Sequence, residues 1–418
     1  MPPSRNTKIA LVALGVLVVC GILLIFRKTS QTIDIRARTV EIQKYASETS
    51  PSETIFVSVA SFRDPECVQT LYSLFSHAAS PTRIWVGLLD QSFDNDTNIL
   101  QEYSELTKKN GTYDYSNQIR RYPLLPSKSK GHIVCRYLID KFLFRNEKYH
   151  LTIDSHTLFT KNWDLALVKE LNQLIGPHCL DPILTMQPPT YTVTSRGDVE
   201  TYNQEPGYFM SCLDKIKKGY YLPGIKSDSL LHVPDTPLPT TLWSGAFSFT
   251  RSRTIKKVEY DPYLSYIHTG ENIYMAARLY THGCDLFVPT RSYVASMKDN
   301  TYRHNIFDKF TVQQNRERSF AYRRMSLILG LGLKKLTLKQ RHERYSDVQL
   351  TQDVKLYGLG TTRSLEDYFA YSGLNWDDLD VCRTSSQATM GITHNAGHPE
   401  LMAKHGILSL AFVEESER

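Results

Sequence analysis

Apolar residues are distributed in blocks along this chain. Ile9 to Phe26 (IALVALGVLVVCGILLIF) is an unbroken apolar run of 18 residues. At about 1.5 Å of rise per residue it reaches about 27 Å, enough for the hydrocarbon core of a bilayer. Arg27 and Lys28 follow it directly, without a small-residue cleavage site, so residues 1–28 read as a short tail and a retained transmembrane anchor. Arg5 and Lys8 on one side are matched by Arg27, Lys28, Arg36 and Arg38 on the other, and positive charge alone leaves the orientation open. Residues 29–53 are polar and aperiodic and read as a stem. At Thr54 the pattern changes. Ile55-Phe-Val-Ser-Val-Ala60 predicts a buried strand, Cys67 to Ala79 carries apolar positions at helical spacing, and Arg83 to Leu89 predicts a second strand. Strand, helix and strand in this order predict a right-handed βαβ unit with parallel strands.

The alternation continues less regularly. Ile133 to Phe144 predicts an amphipathic helix, Tyr149 to Ile153 a strand, Trp163 to Ile175 a helix and Pro182 to Met186 a strand. Residues 188–240 are punctuated by Pro and Gly with few periodic segments, and a loop of that length inside a domain is usually functional or mobile. Thr241 to Phe249 reads as a strand and Glu271 to Tyr280 as a helix. The expected organisation is an α/β domain over residues 54–380, followed by a tail, 381–418.

Composition narrows this little. Across 418 residues the net charge is +6, without a dense basic stripe, so no nucleic-acid partner is expected. The basic stretch from Arg316 to Arg344 reads as a solvated helix face. None of the seven cysteines forms a CxxC pair, which argues against structural zinc. Disulfides and free buried thiols both fit the six outside the anchor. Two sequons, Asn95-Asp-Thr97 and Asn110-Gly-Thr112, are compatible with a lumenal domain.

The sharpest chemistry is Asp154-Ser155-His156, directly after a predicted strand. On a parallel sheet its side chains would project at the carboxyl edge, where open α/β sheets bind ligands. A carboxylate and an imidazole two residues apart suit a divalent cation such as Mn²⁺. Other blocks accompany it in order: Ile55 to Pro65, ending in Arg63-Asp64; Gly131-His-Ile-Val-Cys-Arg136; Trp243-Ser-Gly-Ala-Phe; Gly270-Glu271-Asn272; Thr281-His-Gly283; and Tyr357-Gly-Leu-Gly-Thr-Thr-Arg.

In this order and spacing, from about Thr54 to Asn375, the chain resembles the glycosyltransferase family of the protist hydroxyproline GlcNAc-transferase and the mucin-type polypeptide α-GlcNAc-transferases. The resemblance implies a GT-A type, Rossmann-like α/β domain behind the anchor. It also implies retaining transfer of GlcNAc from UDP-GlcNAc to a Thr, Ser or hydroxyproline hydroxyl, with Mn²⁺ as cofactor. Delivery to the Golgi membrane is expected, single-pass, with the catalytic domain lumenal. By match to the family's motifs, Asp154 and His156 are metal ligands, Glu271 and Trp243 face the sugar and acceptor, and Arg63, Asp64 and Arg136 meet the nucleotide. Two positions depart from the pattern. Asn272 stands where the family has a glutamate, and Ser296 stands near the place of a third, histidine, metal ligand, for which His304 is the candidate substitute. A second reading follows, a GT-A protein with impaired turnover that binds glycans or regulates.

Overall fold

The computed structural model describes residues 53–176, 179–192, 208–213, 225–229, 235–297, 304, 306–307, 310–331 and 348–372. The expected anchor, the stem up to residue 52 and the C-terminal tail lie outside the described residues, as do Cys20 and Cys382. Among the described residues no helix is long and apolar enough to cross a membrane.

The described residues fall in one compact unit. In chain order it contains β1 (Ile55–Phe62), α1 (Cys67–Ser76), β2 (Ile84–Gln91), α2 (Ile99–Lys109), β3 (Ile119–Pro123), α3 (His132–Phe142), β4 (Tyr149–Asp154), β5 (Thr157–Phe159) and α4 (Trp163–Gln173). There follow β6 (Pro182–Thr185), β7 (Thr190–Tyr191), β8 (Tyr208–Leu213), β9 (Ile225–Ser229), β10 (Leu238–Pro239), β11 (Phe247–Arg251), α5 (Ser252–Lys257), α6 (Glu271–Thr281), β12 (Asp285–Val288) and β13 (Val294–Met297). The helices α7 (Val312–Ile328), α8 (Val348–Thr351), α9 (Val354–Tyr357) and α10 (Leu365–Ser372) complete the described part.

Eight strands form one sheet in the order β10-β12-β6-β11-β4-β1-β2-β3. β3, β2, β1 and β4 are parallel, as the βαβ reading requires, and β11 runs antiparallel between β4 and β6. The central strands read as continuous apolar runs because helices cover both faces. Ile55, Val57 and Val59 of β1 pack with Leu71, Leu74 and Phe75 of α1 in one buried cluster. On the other face α6 and α7 build a second cluster around Trp243, Tyr260, Tyr274, Met275 and Met325.

The chain visits β1, β2 and β3 in one direction and then returns to place β4 on the other side of β1. That reversal is a topological switch point, and the crevice at the carboxyl ends of β1 and β4 is where such sheets bind ligands. Asp154 ends β4 in register with Ala60 of β1. A second, small sheet, β5-β13-β7, closes over this end and sets Ser296 opposite Thr157.

Three expectations are corrected. Strand structure begins at Phe247, and Thr241 to Ala246 form a loop instead, because Gly245 lies against the Arg136 guanidinium. A Cβ at Gly245 would sit 2.2 Å from Arg136 Nη1, so the close approach requires glycine. The basic stretch is not simply a solvated face: Arg324 is fully buried, with its Nε donating to Asp261 Oδ2 at 2.8 Å. The thiols of Cys67, Cys135, Cys179 and Cys284 are buried and free, so the disulfide alternative does not hold for these four.

Candidate active site at the β1–β4 switch point

The Asp154-Ser155-His156 turn is held from below by the polar side of α1. Thr70 Oγ1 donates to the Ser155 carbonyl at 2.8 Å and accepts from the Thr157 amide at 2.8 Å, while Ser73 Oγ accepts from the Phe159 amide at 2.8 Å. From the end of β1, Asp64 Oδ2 accepts from Ser155 Oγ at 2.7 Å and from His156 Nδ1 at 2.9 Å. Because a carboxylate only accepts, Nδ1 carries the proton, and in the neutral imidazole Nε2 of His156 is then the nitrogen with the lone pair. Asp64 is buried, so it orients the triplet instead of meeting a nucleotide, as the sequence suggested. A carboxylate behind a histidine in this way is the usual second partner of a metal-binding imidazole.

Asp154 is 34% exposed and is the accessible carboxylate of the group. With His156 Nε2 it offers one oxygen and one nitrogen donor at the strand end, a donor pair that fits a divalent cation. A third protein ligand does not join them: among the described residues no group of three or more His, Cys, Asp or Glu is arranged to hold a metal. His304 is exposed and acts electrostatically on Asp96, so its proposed place beside the pair is not found. Ser296 is closer in the fold, since the Met297 amide after it donates to the His156 carbonyl at 3.0 Å.

Arg63 adopts a left-handed backbone (φ 51°) directly after β1, an uncommon conformation for a residue with a Cβ. Its guanidinium makes a paired contact with Asp96, at 2.7 Å to each oxygen, and lies 5.0 Å from the Phe93 ring centre. It retains partial exposure at the crevice end of β1.

Behind Asp154 lies a buried charge cluster. Arg136 Nη1 donates to Glu271 Oε1 at 2.8 Å, and Nη2 donates to the Gly245 carbonyl at 2.8 Å and approaches Asp154 Oδ1 at 3.4 Å. The guanidinium is committed to protein acceptors from three elements and is buried, which replaces its expected role as a phosphate contact. It ties the strand-end carboxylate to the first residue of α6. The other oxygen, Glu271 Oε2, accepts from His132 Nε2 at 2.6 Å. Burial raises the Glu271 pKa, but His132 and Arg136 outweigh it, and the carboxyl falls to about 2. His268, nearby, is pushed down to about 4 by burial and by His132, so it is neutral at physiological pH.

Trp243 is 2% exposed, and its indole N–H is spent on Ser248 Oγ at 2.9 Å. Its ring is therefore packed in the core against Tyr260 and presents no face to a ligand. Its carbonyl accepts from Asn272 Nδ2 at 2.9 Å. That bond explains the departure at position 272, because a glutamate cannot donate. The Tyr357 to Arg363 block is structural: Gly360 N–H donates to Thr281 Oγ1, and Arg363 pairs with Asp285 at 2.7 Å.

Sequence reasoning passed over His132 and His268. The signal for His132 was available: His132 and Arg136, four apart, share one helix face in the first turns of α3, where positive charge opposes the helix dipole. Such a pair calls for a carboxylate from elsewhere.

Comparison with known proteins gives the following. A family model described as "Glycosyltransferase (GlcNAc)" matches residues 54–113 and 101–377. No curated protein matches the chain by sequence. Among solved structures, GalNAc-T7 with UDP, GalNAc and Mn²⁺ is similar at 16% identity and a TM-score of 0.50, over 77% of this chain. The match spans 57% of the GalNAc-T7 chain, and the likeness is one of fold, in keeping with the expected GT-A type α/β domain. TarS from S. aureus, residues 1–349, is similar at 12% identity over 72% of this chain and 74% of its own, with a TM-score of 0.38. Its complex with UDP-GlcNAc gives 13%, 84%, 92% and 0.37.

Proposed function

Because the chain belongs to the GlcNAc glycosyltransferase family, we propose that it transfers GlcNAc from UDP-GlcNAc to a hydroxyl group of a polypeptide, with retention at the anomeric carbon. The observation that carries this reading is the Asp154–His156 donor pair, oriented by Asp64 at the switch point of the sheet. The fold likeness to GalNAc-T7, whose structure holds UDP and Mn²⁺, supports a nucleotide-sugar donor. Asp154 and His156 would hold the cation, which when bound neutralises charge on the departing diphosphate. In this reading Arg63, partly exposed at the crevice end of β1 and paired with Asp96, contributes positive charge toward the nucleotide. Glu271 is 5% exposed and accepts one bond at each oxygen; a carboxylate has about four acceptor sites, and in this reading a remaining one serves the donor sugar. Trp243 serves the site through its backbone, held by Asn272.

Membrane anchoring through Ile9 to Phe26 and a lumenal, Golgi-resident domain complete the reading. The impaired-turnover alternative is favoured by one observation, the absence of a third ligand among the described residues. Donor turnover decides between them. The wild type should hydrolyse UDP-GlcNAc faster with Mn²⁺ than without, and Asp154→Asn and His156→Ala should abolish this with the unfolding midpoint nearly unchanged. Wild-type activity in both variants would reduce the triplet to a turn.

A further inference from the structure

His132 stands in the Gly131–Arg136 block without an assigned role, yet the geometry gives it a defined partner. Two helices begin facing each other, α3 after Gly131 (φ +94°) and α6 after Gly270 (φ +90°). Those left-handed glycines put His132 and Glu271 at the first helical positions, and the imidazole Nε2–H meets Glu271 Oε2 at 2.6 Å. The Arg136 guanidinium alone would not fix that carboxylate. It reaches one oxygen of Glu271 and divides its remaining bonds between the Gly245 carbonyl and Asp154. With one anchored oxygen a carboxylate can pivot; with two it cannot. The His132 ring is in turn held at its edge by Phe307, 6.1 Å between centres, and Phe307 packs on His268 at 4.8 Å.

We propose that His132 is a positioning residue of the transfer site, holding the Glu271 carboxylate in one orientation by occupying its second oxygen. The proposal rests on the reading of this site as a GlcNAc-transferase. Removing His132 also withdraws an interaction that keeps the buried Glu271 carboxylate ionised, so His132→Ala should lose stability as well, and turnover is compared on protein that is still folded. Misplacement of a reacting-site group by about 1 Å can cost on the order of 100-fold in rate. A role in orientation therefore shows in the kcat of the folded protein and in its rescue by a side chain that restores the donor.

The test compares His132→Ala with His132→Gln in the full chain, with UDP-GlcNAc as donor. The glutamine amide Nε2 can replace the imidazole donor without its ring. His132→Ala should lower kcat by about 10–100-fold, with the donor KM changing far less, and His132→Gln should restore most of the rate. Equal impairment in both variants, or none in either, overturns the proposal. Nitrogen NMR of ¹⁵N-histidine-labelled protein tests the contact without turnover. The ring signal of His132 should move in Glu271→Gln, and an unmoved signal refutes the contact. If the wild type turns over no UDP-sugar, the transferase reading and the role of His132 in turnover both fall, while the NMR result still decides whether His132 holds Glu271.

Discussion

Replacing Glu271 by glutamine removes one buried negative charge and keeps the shape of the side chain. In the wild type that carboxylate is buried at the front of α6 between His132 and Arg136, and its pKa is held at about 2 against an ordinary 4.5. The difference corresponds to about 3 kcal/mol, at about 1.4 kcal/mol per tenfold change in proton affinity. A depressed carboxyl pKa stabilises the folded state fully above its unfolded value and loses that contribution as pH falls through the folded one. The wild type should therefore exceed Glu271→Gln by about 3 kcal/mol at neutral pH. The gap should hold down to about 4.5 and close progressively toward 2. Breaking a buried pair by removing one partner commonly costs about 3–5 kcal/mol, which agrees in size. Urea unfolding of both proteins, followed by tryptophan fluorescence across this range, measures the gap directly. A gap that stays constant as pH falls would show that the loss is one of packing, and that the carboxylate is not held ionised by its neighbours.

Two further outcomes follow from the placement of the other residues. Ser296 adjoins the His156 strand end while His304 does not join it, so Ser296→His should lower the Mn²⁺ concentration needed by about 10–100-fold, and His304→Ala should leave it unchanged; calorimetric titration of Mn²⁺ with UDP present measures both, and unchanged affinity in Ser296→His would remove that segment from the metal site. Asn95 and Asn110 are both exposed, so a lumenal domain expressed in a secretory host should lose mass on glycosidase treatment, and the shift should disappear in the double Asn→Gln variant; a chain without glycan there argues for the opposite topology.

Much of the parallel half of the sheet could be read from the sequence because each of its elements carries a local signature. β1, α1, β2, α3 and β4 all fall within a few residues of their expected ranges, since strands buried on both faces are nearly continuous apolar runs. The Asp154-Ser155-His156 turn could be placed at the sheet edge for the same reason: an apolar strand must end before a charged triplet. Thr241 to Ala246 misled because Leu242, Trp243 and Ala246 are apolar and buried. Their burial comes from packing in the second cluster, not from strand pairing, and periodicity cannot separate the two. Likewise Trp243 was read as a ligand-facing aromatic from its motif, whereas its indole N–H is already satisfied five residues away by Ser248.

The arginines show a deeper reason why the rest was not legible. Arg136 was expected to meet phosphate and Arg324 to point into solvent, and both are buried against carboxylates. The partner of Arg324, Asp261, is 63 positions away in the chain, and the partner of Arg136, Glu271, is 135 away. A charged residue carries a local signature only of its own solvation, and its default is exposure, because an isolated buried charge is prohibitively costly. Burial becomes permissible only when the fold delivers a carboxylate to the same place, and the sequence near an arginine holds no trace of that delivery. The two pairs then differ in what they organise. Arg324 pins α7 to the loop before α6 and to the Leu350 and Gln352 carbonyls, away from the crevice. Arg136 stands between Asp154 and Glu271, so the same interaction that buries it also fixes the relative position of the two carboxylates on which the proposed chemistry depends.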